Sequence, residues 1–346
     1  MMEMAARTAL QVVRAPGYSR LAKRVGILVI ALFSFFAIGI LSLRFGSLSF
    51  SSADIISALF SEGESLARNV VMNIRLPRLL LAGMVGANLA ISGALLQSVM
   101  RNPLADPGLT GVSTGAALVA VTIMLVFPAL SGLVPVAAFV GGTLAVLLVY
   151  FLAWKRGIDP LRIILAGVAV NALLGGGTSL LSILYSDRIQ GVLMWLNGSI
   201  AGRSWYHVSM LAPYSILGLL AAVMCIKSAN LLQLGDDVAK NLGLKVNVAR
   251  VVLSFVAAFL AGISVAVVGL IGFVGLIIPH VSRLLIGSDY KFMLPLSAML
   301  GSILLIIADT AARTVFRPVE LPVGIIMAVV GGPFFLYLLR KGGAMR

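Results

Sequence analysis

Long stretches without a single charged residue dominate the chain. Because a helix needs about 20 apolar residues to cross the hydrocarbon core of a bilayer, each stretch predicts at least one membrane-spanning helix. Only helices satisfy all their backbone hydrogen bonds within one segment in lipid, so the pattern predicts an all-α, polytopic membrane protein. The charge-free runs are residues 25–43, 79–100, 107–154, 163–186, 204–226, 251–282, 292–308 and 321–339.

Two of these runs are too long for one span. The run 107–154 has room for two helices, and Pro128 and Pro135 mark the turn between them. The run 251–282 favours a full helix followed by a shorter, irregular one. Its break is indicated by residues that disrupt helices, namely Gly269, Gly272, Gly275 and Pro279. The sequence therefore predicts about ten spans with short connections.

The distribution of Lys and Arg residues orients these spans. With the N-terminus inside, the inner segments hold 18 of the 26 basic residues, as the positive-inside rule requires. We therefore expect a basic cytoplasmic N-terminal segment (1–24), one transmembrane domain (25–340) and a cytoplasmic tail (341–346). The longest cytoplasmic connection is 227–250, and both termini are predicted to lie in the cytoplasm.

Composition narrows the class of protein further. The chain is 60% hydrophobic and 11% charged, and its mean hydropathy is +1.08, whereas a soluble domain is about 25% charged. The net charge of +14 raises the question of nucleic acid. The basic residues lie between apolar runs, however, so membrane topology explains them and no nucleic-acid partner is expected. One cysteine and two histidines give little material for a metal site, a cofactor or catalysis.

The sequence contains no phosphate-binding loop of the form G-x-x-x-x-G-K-[ST]. The predicted spans are nearly free of ionisable groups, with Asp309 near the end of one span and Arg313 four residues later. A secondary transporter or an intramembrane enzyme, the two alternatives, would need such groups within the membrane. Uphill transport by this chain would therefore take its energy from a partner. The helix-forming segment 227–250 is the predicted docking site, with a solvated loop as the alternative.

Several motifs follow one another in a characteristic order across residues 50–340. They include Arg75-Leu76-Pro77-Arg78, Asn102-Pro103-Leu104-Ala105-Asp106-Pro107, Trp195-Leu196-Asn197-Gly198-Ser199, Gly272-Phe273-Val274-Gly275 and Glu320-Leu321-Pro322-Val323-Gly324. This series resembles the FecCD family of ABC permeases, which import iron-siderophores, haem and cobalamin.

The resemblance implies a ten-span permease subunit in the bacterial inner membrane that pairs with a second permease copy or a close relative. It further implies two cytoplasmic ATPase subunits and an extracytoplasmic substrate-binding protein. A ferric siderophore is the favoured cargo, with haem and cobalamin as alternatives. The residues that the resemblance assigns to ATPase coupling are Leu234, Gly235, Asp236, Asp237, Ala239, Leu242 and Gly243.

The resemblance also assigns two further sets of residues. Arg75, Arg78 and Arg313 would contact acidic groups of the binding protein, since arginine binds carboxylates with two parallel hydrogen bonds; the alternative is interfacial arginines that snorkel. Asn102 and Leu104 would form part of an inner gate, unless they form only a tight turn.

A second gate element of the cobalamin relative is a small hydroxylated pair. In this chain Pro160 and Leu161 occupy that place. The departure counts against a cobalamin cargo.

Overall fold

The computed structural model describes residues 16–46, 50–60, 65–155, 157–316 and 318–342. The first fifteen residues of the predicted N-terminal segment and residues 343–346 of the predicted tail lie outside this part of the chain. Within these ranges the protein is built from helices and has no β-strand. The fold class is therefore all-α, as predicted.

Fifteen α-helices follow one another in the described ranges. They are α1 (Pro16–Arg44), α2 (Ser52–Phe60), α3 (Leu66–Val70), α4 (Leu76–Met100), α5 (Val112–Val126), α6 (Val134–Ala153), α7 (Pro160–Leu184), α8 (Ile189–Leu196), α9 (Trp205–Met224), α10 (Ile226–Leu232), α11 (Asp236–Asn241), α12 (Val246–Val268), α13 (Val274–Ile286), α14 (Tyr290–Ala312) and α15 (Val323–Gly342). A π-helical turn (Val71–Arg75) joins α3 to α4, and 3-10 turns cover Pro107–Thr110, Pro128–Leu133 and Ser186–Arg188.

Seven of the helices in the described ranges are long and apolar enough to cross a bilayer: α1, α4, α6, α7, α9, α12 and α14. Three helices with shorter apolar stretches, α5, α13 and α15, overlap the charge-free runs 107–154, 251–282 and 321–339. The chain is thus a multi-pass membrane protein. The count of ten membrane crossings stays a prediction, because α5 and α13 have only 15 and 13 residues and the apolar part of α15 is only Val323–Leu338.

Both runs that needed division contain two helices. The 3-10 turn Pro128–Leu133 separates α5 from α6, and α12 ends at Gly269 with a positive φ of 77° before α13 begins. Helix α1 begins at Pro16 and so extends beyond the predicted span 25–43 into the predicted N-terminal segment. Its first turns carry basic residues, and a helix can extend beyond the apolar segment wherever its backbone remains satisfied. The short helices α2, α3 and α8 were not predicted.

Helix α4 forms the centre of the bundle and packs against α9, α12, α13 and α14. Two glycine contacts bring backbones together, Gly86 against Gly301 of α14 and Gly93 against Gly275 of α13. In lipid, where water exclusion does not drive helix association, such close approach supplies dispersion contacts.

Buried polar side chains also join α4 to its neighbours. The Asn88 amide donates to the hydroxyl of Ser215 at 2.8 Å, and the Ser92 hydroxyl donates to the Ala257 carbonyl at 2.6 Å. A polar group buried in lipid needs a partner. These pairs therefore help to fix the rotation of α4 against α9 and α12.

Candidate functional site

The residues predicted for coupling surround the short helix α11. It lies between Gly235 (φ 97°) and Gly243 (φ 82°), two backbone conformations that glycine adopts without steric cost. The glycines therefore shape the turns on either side of the helix. As predicted, segment 227–250 contains short helices, α10 and α11.

Three apolar side chains around α11 are exposed at four-residue intervals: Leu234 (55%), Val238 (47%) and Leu242 (58%). We call them the exposed apolar trio. Ala239, predicted as a contact residue, is fully buried and packs in the core, so direct contact through it is ruled out in this arrangement. Val238 was missed, although its position four residues from both leucines is the signal that would have identified it.

A buried arginine fixes α11 to the bundle. Asp236 accepts a hydrogen bond from Nη2 of Arg250 at 2.8 Å, and Arg101 at the end of α4 lies 3.9 Å from the same carboxylate oxygen. Arg250 in turn donates to the carbonyl oxygen of Ile158, before α7, at 2.8 Å. Asp237 is exposed, and within the described ranges its one ion pair is with Lys240 on α11 itself, at 3.9 Å. Of the two predicted acids, Asp236 therefore attaches α11 to three other elements.

Replacing Asp236 with asparagine is expected to lower stability by about 1–3 kcal/mol, since buried Arg250 loses its charged partner. Thermal unfolding of the purified protein would measure the change. Asp237→Asn is the matched control one residue away, and we expect it to leave the melting temperature unchanged. Equal effects of the two substitutions would contradict the role given to Asp236.

The predicted inner-gate residues lie at the same end of the bundle. Arg101 ends α4 with a left-handed φ of 46°, and the Asn102 side-chain oxygen accepts from the backbone N–H of Leu104 at 2.9 Å. Pro160 is the first residue of α7, and exposed Leu161 follows it. Arg101 and Pro160 line one polar cleft of about 570 Å³. The Asn102 contact is that of a tight turn, and the gate assignment of these residues stays a prediction.

The three arginines predicted to dock a binding protein are buried at the opposite end of the bundle. Arg78 donates from Nε to both carboxylate oxygens of Asp309 at 2.9 and 3.0 Å, and from Nη1 to Glu320 at 2.7 Å. Arg78 thus already pairs with two acidic groups, and its role in docking a binding protein stays a prediction. Its counter-charges belong to the chain itself.

Arg75 and Arg313 likewise form contacts within the protein. Arg75 donates to the Leu43 carbonyl oxygen and lies over the ring of Phe50. Arg313 donates to the carbonyl oxygen of Ser42 at 2.7 Å, and its Nε lies 3.8 Å from Asp309. Together with Arg78 they join the end of α1, the start of α4 and the end of α14. To bind another protein these side chains would have to leave those contacts.

The chain matches known transport proteins over nearly its whole length. The sequence profile described as the FecCD transport family covers residues 32–341. The Fe(3+)-citrate import system permease protein YfmD of Bacillus subtilis (strain 168) is 41% identical over 324 residues, which is 93% of this chain and 97% of that protein. The hemin transport system permease protein HmuU of Yersinia pestis is 43% identical over 284 residues, 79% of this chain and 84% of that protein.

A solved structure shares the fold. It is an ABC transporter assigned to the metal-chelate type and captured in an inward-facing conformation. The two chains superpose with a TM-score of 0.82 at 30% sequence identity, covering 91% of this chain and 99% of the other. The arrangement of α1 to α15 is thus one already seen in a transport protein.

Proposed function

Because the chain belongs to the FecCD transport family, we propose that it is the permease subunit of an ATP-driven importer that carries an iron chelate across the bacterial inner membrane. A ferric siderophore or a related ferric chelate is the proposed cargo, in keeping with the ferric citrate relative YfmD. Haem is the second candidate, because HmuU, a hemin permease, is 43% identical.

The observation that carries the ATP-driven part of the proposal is the exposed apolar trio, together with the contacts that attach α11 to the bundle. Apolar side chains that stand in water at the end of a membrane bundle favour contact with another protein. A movement of α11 would be transmitted to α12, α4 and the segment before α7 through the contacts of Asp236, Arg250 and Arg101. We propose that a cytoplasmic ATPase binds the trio and moves the bundle through these contacts.

The proposal includes further partners and an orientation. Two ATPase subunits would bind two permease chains, and a substrate-binding protein would deliver the chelate at the opposite, outer end. The α11 end and both termini would face the cytoplasm, in keeping with the distribution of basic residues. Helix α7, of whose most apolar window only 17% is buried within the chain, offers a surface for the second permease.

Leu242→Asp tests the coupling role. A charge placed in an apolar interface removes contacts of the kind that dominate binding energy. We expect at least a tenfold weaker association with the cognate ATPase, about 1.4 kcal/mol or more, and a matching loss of ATP-driven uptake of radiolabelled iron in proteoliposomes.

Leu284→Asp is the control, since Leu284 is 74% exposed near the end of α13 and lies outside the trio. It should leave ATPase association unchanged. ATPase binding unaffected by Leu242→Asp, or iron accumulation by this chain in proteoliposomes without any ATPase subunit, would contradict the proposed function.

A further inference from the structure

A cavity of about 430 Å³ opens between the α5–α6 turn, α8 and the start of α9. It lies at the Arg78 end of the bundle, because the indole nitrogen of Trp205 donates to the carbonyl of Met72, just before α4, at 2.9 Å. Its volume falls within the range of about 300–1,000 Å³ typical of small-molecule sites. The cavity combines an apolar wall, including Met194 and Trp195, with a polar group consisting of Ser131, Ser199, Arg203, Tyr206 and His207.

Arg203 brings a positive charge into this cavity that nothing nearby neutralises. Among the described residues, no Asp or Glu lines the cavity, and no carboxylate oxygen lies within 4.0 Å of the Arg203 guanidinium. The Nε atom of Arg203 is buried, and no described residue forms a hydrogen bond with it. Partial burial, which disfavours the charged form, lowers the pKa of Arg203. A desolvated cation without a counter-ion favours binding of an anion.

The contact between Arg203 and His207 indicates where in the cavity an anion would bind. The imidazole Nδ1 of His207 accepts from the backbone N–H of Ser204 at 3.2 Å, within a capping box at the start of α9. A neutral imidazole that accepts at Nδ1 carries its proton on Nε2. Nη1 of Arg203 lies 3.2 Å from Nε2 of His207, and Nε2 accepts from Arg203 only when the imidazole proton is on Nδ1. With the proton on Nε2, as the contact with the Ser204 N–H requires, both groups are donors, and one carboxylate beside them could accept from both.

We infer that this cavity binds a ferric chelate that carries free carboxylates, with Arg203 as the main anchor and His207 as the second donor. The inference rests on the proposed function and gives it a substrate class, an anionic chelate. Arginine binds a carboxylate through two parallel, charge-assisted hydrogen bonds, while the apolar wall covers the ligand's carbon skeleton. At the proposed outer end, the cavity would receive the chelate before it enters the translocation path.

Binding by the purified chain tests the site without transport. In nanodiscs of phosphatidylcholine, neither anionic lipid nor a delivery protein competes for the cavity. Ferric citrate should raise the melting temperature of the wild-type chain in proportion to RT ln(1 + [L]/Kd). In Arg203→Gln its Kd should be about 10- to 100-fold weaker, the loss expected for a hydrogen bond to a charged group. Arg203→Lys, which keeps the charge but not the fork, should fall between the two.

The controls make the result specific. Arg188→Gln removes an exposed arginine of the same connection that pairs with Asp187, and it should bind ferric citrate like the wild type. A neutral ferric trihydroxamate should show no dependence on Arg203. Ferric citrate that fails to stabilise the wild type, or that stabilises Arg203→Gln equally, overturns the site. Stabilisation through Arg203 by phosphatidylglycerol but not by ferric citrate would also overturn it, in favour of a lipid headgroup.

Uptake by the complete importer separates this inference from the proposed function. A tenfold fall in ferric citrate uptake by Arg203→Gln, with neutral chelate uptake unchanged, supports the site. Equal uptake of ferric citrate by wild type and variant, still dependent on ATP, overturns the site and leaves the proposed function intact. No ATP-dependent uptake of any iron chelate by the wild type overturns the proposed function, whatever the binding measurement shows.

Discussion

Alanine in place of Gly93 is expected to destabilise the bundle by about 3 kcal/mol, the upper end of the cost of overpacking a core. A Cβ built on Gly93 collides with the backbone carbonyl of Gly275. A side chain could rotate away from the new methyl group, but a helix backbone cannot. Helices α4 and α13 would have to separate, and the dispersion contacts that hold them in lipid would be lost. We expect a lower melting temperature in detergent and a lower yield of monodisperse protein.

Gly26 of α1 supplies the matched control. A Cβ there meets no atom within 4 Å, and alanine has a higher helix propensity than glycine by about 1 kcal/mol. Gly26→Ala should therefore leave the melting temperature unchanged or raise it. Should Gly93→Ala unfold at the wild-type temperature, the close α4–α13 packing would be refuted.

The position of each apolar helix could be predicted from the sequence, but its place in the bundle could not. In the most apolar window of α4, 83% of the residues are buried within the chain, and in that of α1 only 17% are. In water such helices would differ in pattern, because the exposed one would carry a polar face. In lipid both environments are apolar, so hydropathy does not distinguish a central helix from a peripheral one. Gly86 and Gly93 are visible in the sequence of α4, but nothing in that sequence shows which helix each of them packs against.

The short helices of segment 227–250 were predicted because their signals are local. Acids early in a short helix and glycines beside it are sequence features of α11, and the helix lies there. The choice between Val238 and Ala239 as the exposed residue depends on the rotation of a six-residue helix against the bundle. That rotation is set by Asp236 and Arg250, a contact between residues fourteen positions apart. Ala239, which was predicted as a contact residue, is therefore buried, and Val238, for which no role was predicted, is exposed.

The internal partners of the arginines could not be predicted, because they lie far away in sequence. A charged side chain next to an apolar run is expected at the membrane surface, and Arg78 fits that description in sequence. Its partners Asp309 and Glu320 lie 231 and 242 residues further along the chain. Only the folded bundle brings them together. Arg203 was overlooked for the converse reason, since nothing in its sequence neighbourhood shows that no described acid pairs with it in the folded chain.

Asparagine at position 309 is expected to destabilise the protein by about 3–5 kcal/mol, the cost of leaving one charge of a buried pair without its partner. The substitution keeps the shape of the side chain but removes the charge that faces Arg78 at 2.9 Å and Arg313 at 3.8 Å. Both arginines are buried, so water does not replace the lost interaction. Thermal unfolding in detergent would measure the loss.

The control replaces Glu320, the second acidic residue that pairs with Arg78. Glu320 is 39% exposed, and exposed ion pairs contribute about 0–1 kcal/mol, so Glu320→Gln should change stability little. A double variant, Arg78→Met with Asp309→Leu, should recover much of the loss, because replacing a buried ion pair by apolar side chains is often neutral. Failure of the double variant to exceed Asp309→Asn in stability would contradict this account of the pair.

The same variants decide between an internal and an external role for these arginines. If Arg78 and Arg313 join α1, α4 and α14, Asp309→Asn lowers the melting temperature of the isolated chain. If the arginines instead bind an acidic partner protein, removing the charge of Asp309 leaves more positive charge at that surface. Binding of the delivery protein should then become tighter, without loss of stability. Because Arg78 places its Nε between both oxygens of Asp309, we expect the first result, measured by parallel unfolding and binding titrations on one preparation.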